Sequence, residues 1–235
     1  DGVDGADAAF SDALKIPVRR VPPWHFEFDA ARRNLCQQFG THDLAGFGAE
    51  QHTIAIGAAN ALLDYVKATQ GAAIAHLRAL TVEQSGEFVR MDPATRRNLE
   101  LTETLRGEPA PTLLSLLDHC ATSMGSRLLR HALHHPLTDR AVLRARHAAV
   151  AELIDTRGHD ALQTLLKTFV DVERITARLA LKSARPRDLS GLRDTLKQLP
   201  ALRTQIAQSA SPQNATLAAL ATHLAPPGDV ATTLT

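Results

Sequence analysis

Apolar positions recur along this chain at two spacings, and the change from one to the other divides it. In VRRVPPWHFEF (residues 18–28), Trp24, Phe26 and Phe28 alternate with other residues, the period of an extended segment whose large side chains share one face. The spacing then turns helical. Asp29 is placed to cap a helix running to Phe39, with Leu35 and Phe39 one turn apart and Gly40 just past its end. THDLAGFGAE is a loop with room for a short helical turn. Ile54, Ala58, Leu62 and Tyr65 predict a helix from Thr53 to Gln70, broken at Gly71. Leu77 to Arg90 reads as two short strands around Gln84-Ser85-Gly86, with Val82, Phe88 and Val89 as β formers.

Beyond this point the pattern is helical throughout. Asp92-Pro93 is a helix start, because Asp caps and Pro at the first helical position gives up no useful donor. Leu113 to Leu117 opens another helix, and Gly125 to Leu133 a third, stopped by Pro136. Thr138 and Asp139 cap the next, which carries Leu143, Val150, Leu153 and Ile154. Leu162, Leu165, Leu166, Phe169, Val172, Ile175 and Leu179 form a continuous stripe that predicts one long helix from Asp160 to Ser183. Arg185-Pro186 ends it, and Leu189, Leu192 and Leu196 start a new helix that reaches Pro200. Two short helices follow before Pro226-Pro227-Gly228.

Composition supports this reading. Among 235 residues, 44% are hydrophobic but only 4% aromatic, and Ala and Leu dominate, which favours helix over sheet. The net charge of +1 argues against DNA contact as the main task of this segment. Cys36 and Cys120 form no CxxC pair, as expected of a reduced, cytoplasmic protein in which both are small buried apolar side chains. No apolar run reaches membrane-spanning length. The start, DGVDGADAAF, is acidic and lacks an initiator Met, so a chain cut from a longer protein is expected.

Chemistry-bearing motifs are scarce. There is no GxxxxGK[ST] phosphate loop, no Gly-Lys pair, no GxSxG and no HExxH. His131, His134 and His135 invite a metal reading, but 131 and 135 supply only two ligands on one face, so a polar helix end is expected instead. His119-Cys120 invites a thiolate reading that needs an electropositive pocket. Arg90, Arg96, Arg97 and Arg106 are of a type to meet phosphate. Glu87, Asp92, Glu100 and Glu103 are interleaved with them, so an ion-paired or solvated face is the expectation. Asn98, short and polar inside a helix, is expected to be a buried polar tie.

Three stretches taken together carry a resemblance. MDPATRRNLELTETLRG, PTLLSLLDHCATSMGSRLLRHALHHPLTD and DVERITARLALKSARPRDLSGLRDTLKQLP resemble the helical core domain of the bacterial MutS DNA mismatch-repair proteins, while VRRVPPWHFEFDAARRNLCQQFGTHDLAGFG resembles the last part of that family's connector domain. The similarity runs to about Gln208. It implies a mainly α fold, a helical lever-type core preceded by a truncated α/β connector remnant. The implied divisions are 1–52 for the connector's C-terminal part, 53–70 for a linking helix and 71–235 for the first part of the core.

The resemblance also implies a homodimer that recognises mismatched double-stranded DNA in an ATP-dependent manner with mismatch-repair partner proteins, and no membrane. ATP and Mg belong to the full-length protein, and no cofactor to this segment. The family's mismatch-reading Phe-x-Glu is not carried over to Phe26-Glu27-Phe28, which lies in the connector. No catalytic, cofactor-binding or metal residue is therefore assigned, and the implied role is a relay through packed helices, with the 160–183 helix as its stiff element. The competing classes are a stand-alone helical adaptor for a partner protein and a small helical enzyme. The latter would need a convergent pocket of ionisable groups.

Overall fold

The computed structural model describes residues 21–70, 74, 77–83, 86–211 and 213–225. The chain divides into two units, Asp1–Val82 and Glu83–Thr235. The described residues are mainly α-helical and contain no strand, as the Ala- and Leu-rich composition implies.

The first unit begins with a 3-10 turn, Pro23–Phe26, followed by helix α1 (Phe28–Phe39), a second 3-10 turn (Ala45–Phe47) and helix α2 (Thr53–Gln70). The extended reading of residues 18–28 is corrected here, with 18–20 outside the described residues. Pro23 presets the first helical φ, the His25 N–H donates to the Pro22 carbonyl at 3.1 Å, and the alternation is lost. Trp24 and Phe26 are 67% and 48% exposed, and only Phe28 joins the core. Glu27, not Asp29, caps α1: its carboxylate accepts from the N–H groups of Asp29 at 3.2 Å and Ala30 at 2.8 Å. Gly40, at φ +67°, closes the helix as expected.

The core of this unit is Ala31, Leu35 and Cys36 of α1, Leu44 and Ala49 of the loop, and Ile56 and Leu63 of α2. The helical spacing of Ile54, Ala58, Leu62 and Tyr65 located α2 but not its inner face, since all four are exposed, Ile54 at 89%. Gly57 explains the choice. A Cβ there would sit 2.5 Å from the Phe26 carbonyl oxygen, so this side of α2 lies against the 3-10 turn at a distance only glycine permits. The loop between the helices is tied down by Glu50, which accepts from the Leu44 N–H at 2.8 Å and pairs with Arg32.

The second unit runs through α3 (Pro93–Asn98), α4 (Leu113–Leu117), α5 (Ser123–His134), α6 (Arg140–Asp155), α7 (Gly158–Leu166), α8 (Val172–Ala180), α9 (Pro186–Ser209) and α10 (Ala215–His223). Short polar side chains start most of them. Asp92 accepts from Thr95 N–H, Thr122 from Gly125, Asp139 from Ala141 and Val142, and Asn214 from Leu217, while Thr112 and Ser115 cap α4 reciprocally. The core gathers Ala149 of α6, Leu202 and Ile206 of α9 and Leu217 of α10, with Leu153, Leu162, Leu165, Leu166 and Phe169 packed against it.

Three expectations about this unit are corrected. The hairpin over residues 77–90 is absent among the described residues, and its turn at 84–85 lies outside them. Phe88 instead makes an isolated antiparallel bridge with Leu137, fixed by Val89 N–H to Pro136 at 2.7 Å and Thr138 N–H to Glu87 at 3.0 Å. The single helix from Asp160 to Ser183 is two helices. The Asp171 backbone leaves helical geometry at φ −74°, ψ 86°, its carboxylate caps α8, and the Val170 N–H turns aside to the Thr195 hydroxyl at 3.1 Å. The stripe persists as far as Ile175, because Leu162, Leu165, Leu166 and Phe169 pack on the second core and Ile175 is buried, while Leu179 at its end is exposed.

The third correction is to α9, which continues through Pro200 to Ser209. Proline removes one helical hydrogen bond, but Leu192 on one side and Leu202 and Ile206 on the other are all buried, and their packing holds the helix together across the gap. Gly158 lets the start of α7 meet the end of α9, since a Cβ there would run into the Ser209 side chain.

Candidate functional site

The three histidines singled out in the sequence do not converge. His131 and His135 lie in and just after the last turn of α5 and stack on each other with ring centroids 4.5 Å apart. Phe88 meets both edge-on, at 6.2 and 5.5 Å. His134 turns away, its Nε2 lying 3.2 Å from the Thr102 hydroxyl. Burial, then the neighbouring charges of Arg96, His135 and Arg130, push its pKa below the usual imidazole range. Among the described residues, no three His, Cys, Asp or Glu side chains gather as metal ligands would.

The Cys120 reading fails on electrostatics. Burial and the Asp118 carboxylate push the thiol up, the reverse of what an activated thiolate needs. Cys36 is buried in the first core as expected, whereas Cys120, after the short helix α4, is exposed, which corrects the buried reading for it. Asn98 is exposed and takes no side-chain hydrogen bond among the described residues, which corrects the buried-tie reading. The buried asparagine is Asn60, 1% exposed, in α2. Its Nδ2 donates to the His25 carbonyl at 2.8 Å and to Asp64 at 3.3 Å, and its Oδ1 accepts from Asn34 at 3.3 Å. The signal was available: Asn60 lies four residues after Ile56 and three before Leu63, on the face that turned out to be inward.

The polar contacts that organise the second unit join helices far apart in sequence. Arg127 of α5 donates through Nη1 and Nη2 to the two carboxylate oxygens of Asp171, at 2.7 and 2.8 Å, and through Nη2 to Glu173 at 2.5 Å. Ser123 adds a hydroxyl bond to Asp171 at 2.9 Å, and Asp171 also accepts the Arg174 N–H that starts α8. One carboxylate thus caps α8 and holds α5. The Arg127 guanidinium keeps Asp171 far below the usual carboxylate range, and the same contacts raise the arginine.

Arg178 of α8 makes a second tie, donating through Nη1 to both oxygens of the buried Asp188 at 2.9 Å. Asp188 also accepts the Arg185 N–H at 3.0 Å, the larger cause of its lowered pKa. Glu152 of α6 makes a third, accepting from the Ser211 N–H and from Asn214 Nδ2 at 2.6 Å at the entrance to α10. Sequence reasoning missed all three because each pair is separated by between 10 and 62 positions and none lies on an apolar stripe. The trace they leave is a carboxylate at a helix start, at Asp171 and Asp188, in a position to do more than cap.

These arrangements hold elements in place. They do not set a nucleophile against a base, and the chain has no Gly-Lys pair of the kind a nucleotide phosphate loop uses. Among the described residues no helix is long and apolar enough to cross a membrane.

Comparison with known families agrees with the architecture. The family model for MutS domain II matches residues 7–78, within the first unit, and that for MutS domain III matches residues 94–233, within the second. The second match alone spans more than half of the chain, and on it the helical unit held by Arg127, Arg178 and Glu152 is a MutS domain III: the chain belongs to the MutS family of DNA mismatch-repair proteins.

Proposed function

We propose that this chain is the structural and allosteric relay of a mismatch-repair protein. That protein recognises mismatched double-stranded DNA in an ATP-dependent manner, as a cytoplasmic homodimer working with other mismatch-repair proteins. DNA grip and nucleotide chemistry belong to other segments of it, and the helices here transmit between them. The observation that supports this reading best is the Arg127–Asp171–Glu173 tie. It fixes α5 to the start of α8 through one carboxylate that is also a helix cap, so a displacement of either helix is felt by the other.

The corrected position of the break matters to the mechanism. A relay through residues 160–183 is not a single rod. It has a joint at 167–171, clamped by Arg127, and the long uninterrupted element is α9.

The test is a MutS protein carrying this chain as its domains II and III, with and without Arg127→Ala. Mismatch affinity is measured in the absence and presence of ATP. The expected result is that the protein still binds both ligands, while the factor by which ATP changes DNA affinity shrinks about fivefold or more. An unchanged factor in a folded variant would overturn the relay reading.

A further inference from the structure

Arg96, Arg97 and Arg106, three of the arginines for which phosphate contact and ion pairing competed in the sequence, come together around one surface pocket of about 590 Å³ in the second unit. Thr102, Glu103 and His134 also line it. Helix α3 presents Arg96 and Arg97 from its last turn. Arg106 is presented by a closed turn. The Gly107 N–H donates to the Thr104 carbonyl at 2.8 Å, the Thr104 N–H to the Glu108 carbonyl at 2.8 Å, and the Glu108 N–H to the Thr104 hydroxyl at 3.0 Å. Gly107 takes φ +81° there, a conformation that suits glycine.

Two of the four acids interleaved with these arginines are turned to backbone N–H groups instead. Asp92 accepts the Thr95 N–H at 2.6 Å, and Glu100 accepts the Leu105 N–H at 2.7 Å. Among the described residues none of the three arginines forms a salt bridge. The buried Nε of Arg96 also has no hydrogen-bond acceptor. Three guanidinium groups against the one carboxylate of Glu103 leave the lining near +2 at neutral pH. His134, also in the lining, is held below the usual imidazole range by burial first and then by the charge of Arg96 among its neighbours.

We propose that this pocket binds a phosphate group, held by the guanidinium groups of Arg96, Arg97 and Arg106 with the Thr102 hydroxyl beside them. Planar guanidinium forks match the oxygens of a phosphate, and a lining near +2 matches its charge. The phosphate has two possible sources, a free polyphosphate or the backbone of a nucleic acid. The proposal goes beyond the relay reading and does not depend on it.

The test titrates the full chain with tripolyphosphate and, separately, with a short DNA duplex, following binding by calorimetry and the His134 ring by NMR. The comparison is Arg97→Gln/Arg106→Gln, two exposed positions, with thermal melting to verify the fold. Saturable tripolyphosphate binding that raises the His134 pKa and weakens at least tenfold in the double variant supports the site with a free ligand. Duplex binding alone supports it with a nucleic-acid backbone as the source, provided the slope of log K against log salt falls by roughly 1 to 2 in the variant. No binding of either probe at millimolar concentration, or binding that the double variant leaves unchanged, would overturn it.

Discussion

Single residues in this chain are most informative where one side chain serves two purposes, and Asp171 is the clearest case. It caps α8 and receives Arg127, and both depend on its being ionised. A carboxylate held below its unfolded value stabilises the fold fully above that value and loses the contribution as pH falls towards the folded one. Asp171, Asp188, Asp92 and Asp118 are all lowered from 3.8, and Glu50 and Glu152 from 4.5. His134 adds an earlier step. It is lowered from 6.5 by burial first, so below that pH the unfolded chain takes up a proton that the folded one does not, and stability falls. Urea midpoints should therefore begin to drop near pH 6.5 and drop more steeply below about 4.5. Asp171→Asn should lower the neutral-pH midpoint and soften the acid limb. A midpoint that rises on acidification from pH 7 to 4 would contradict this assignment of charges.

At the scale of elements, periodicity located the helices and misjudged their joints. The stripe from Leu162 to Ile175 is continuous because α7 and α8 each turn apolar positions inward, and continuity of burial is not continuity of backbone. The break is set by Asp171 and by the reach of Val170 to Thr195, a contact across 25 positions that no local pattern encodes. Pro200 misled in the opposite direction, since packing on both sides of it overrides a local preference. The inner face of α2 depended on one glycine meeting one carbonyl, which the spacing of Ile54, Leu62 and Tyr65 does not register. The helix starts at Pro93 and Arg140 were legible because a cap is a local event.

Phe169, half-buried in the break against Leu202 and its neighbours, should cost about 2–4 kcal/mol as Phe169→Ala, towards the lower part of the range for large-to-small core changes. Arg178 is off the stripe, and its spacing alone marks it as dispensable. Its bond to buried Asp188 says otherwise, so Arg178→Ala should lower the urea midpoint clearly more than Arg174→Ala, whose side chain is far more exposed. Equal effects for the two arginines would mean that the Asp188 tie does not hold α8 to α9.

Taken whole, the molecule has the charge balance of a scaffold, +1 over 235 residues, and its arginines are committed unevenly. Arg127 and Arg178 are locked into carboxylates, while Arg96, Arg97 and Arg106 are not. A chain of this kind attracts the DNA backbone weakly through a few free cations, and such attraction carries no base information. Reading a mismatch needs a group aimed at a base edge or a wedge between steps. Phe26-Glu27 does not provide one. Phe26 is half-exposed, but the Glu27 carboxylate is occupied by the N–H groups of Asp29 and Ala30, so it is not free to accept from a base. The chain should therefore bind a G·T-mismatched duplex and its homoduplex with affinities within about twofold of each other, and both should weaken steeply as salt rises. Fluorescence anisotropy at two salt concentrations checks this. A tenfold preference for the mismatch that persists at the higher salt would require a reading group in this segment, and half-exposed Phe26 beside Glu27, whose carboxylate release of the α1 cap would free, would be the first place to look.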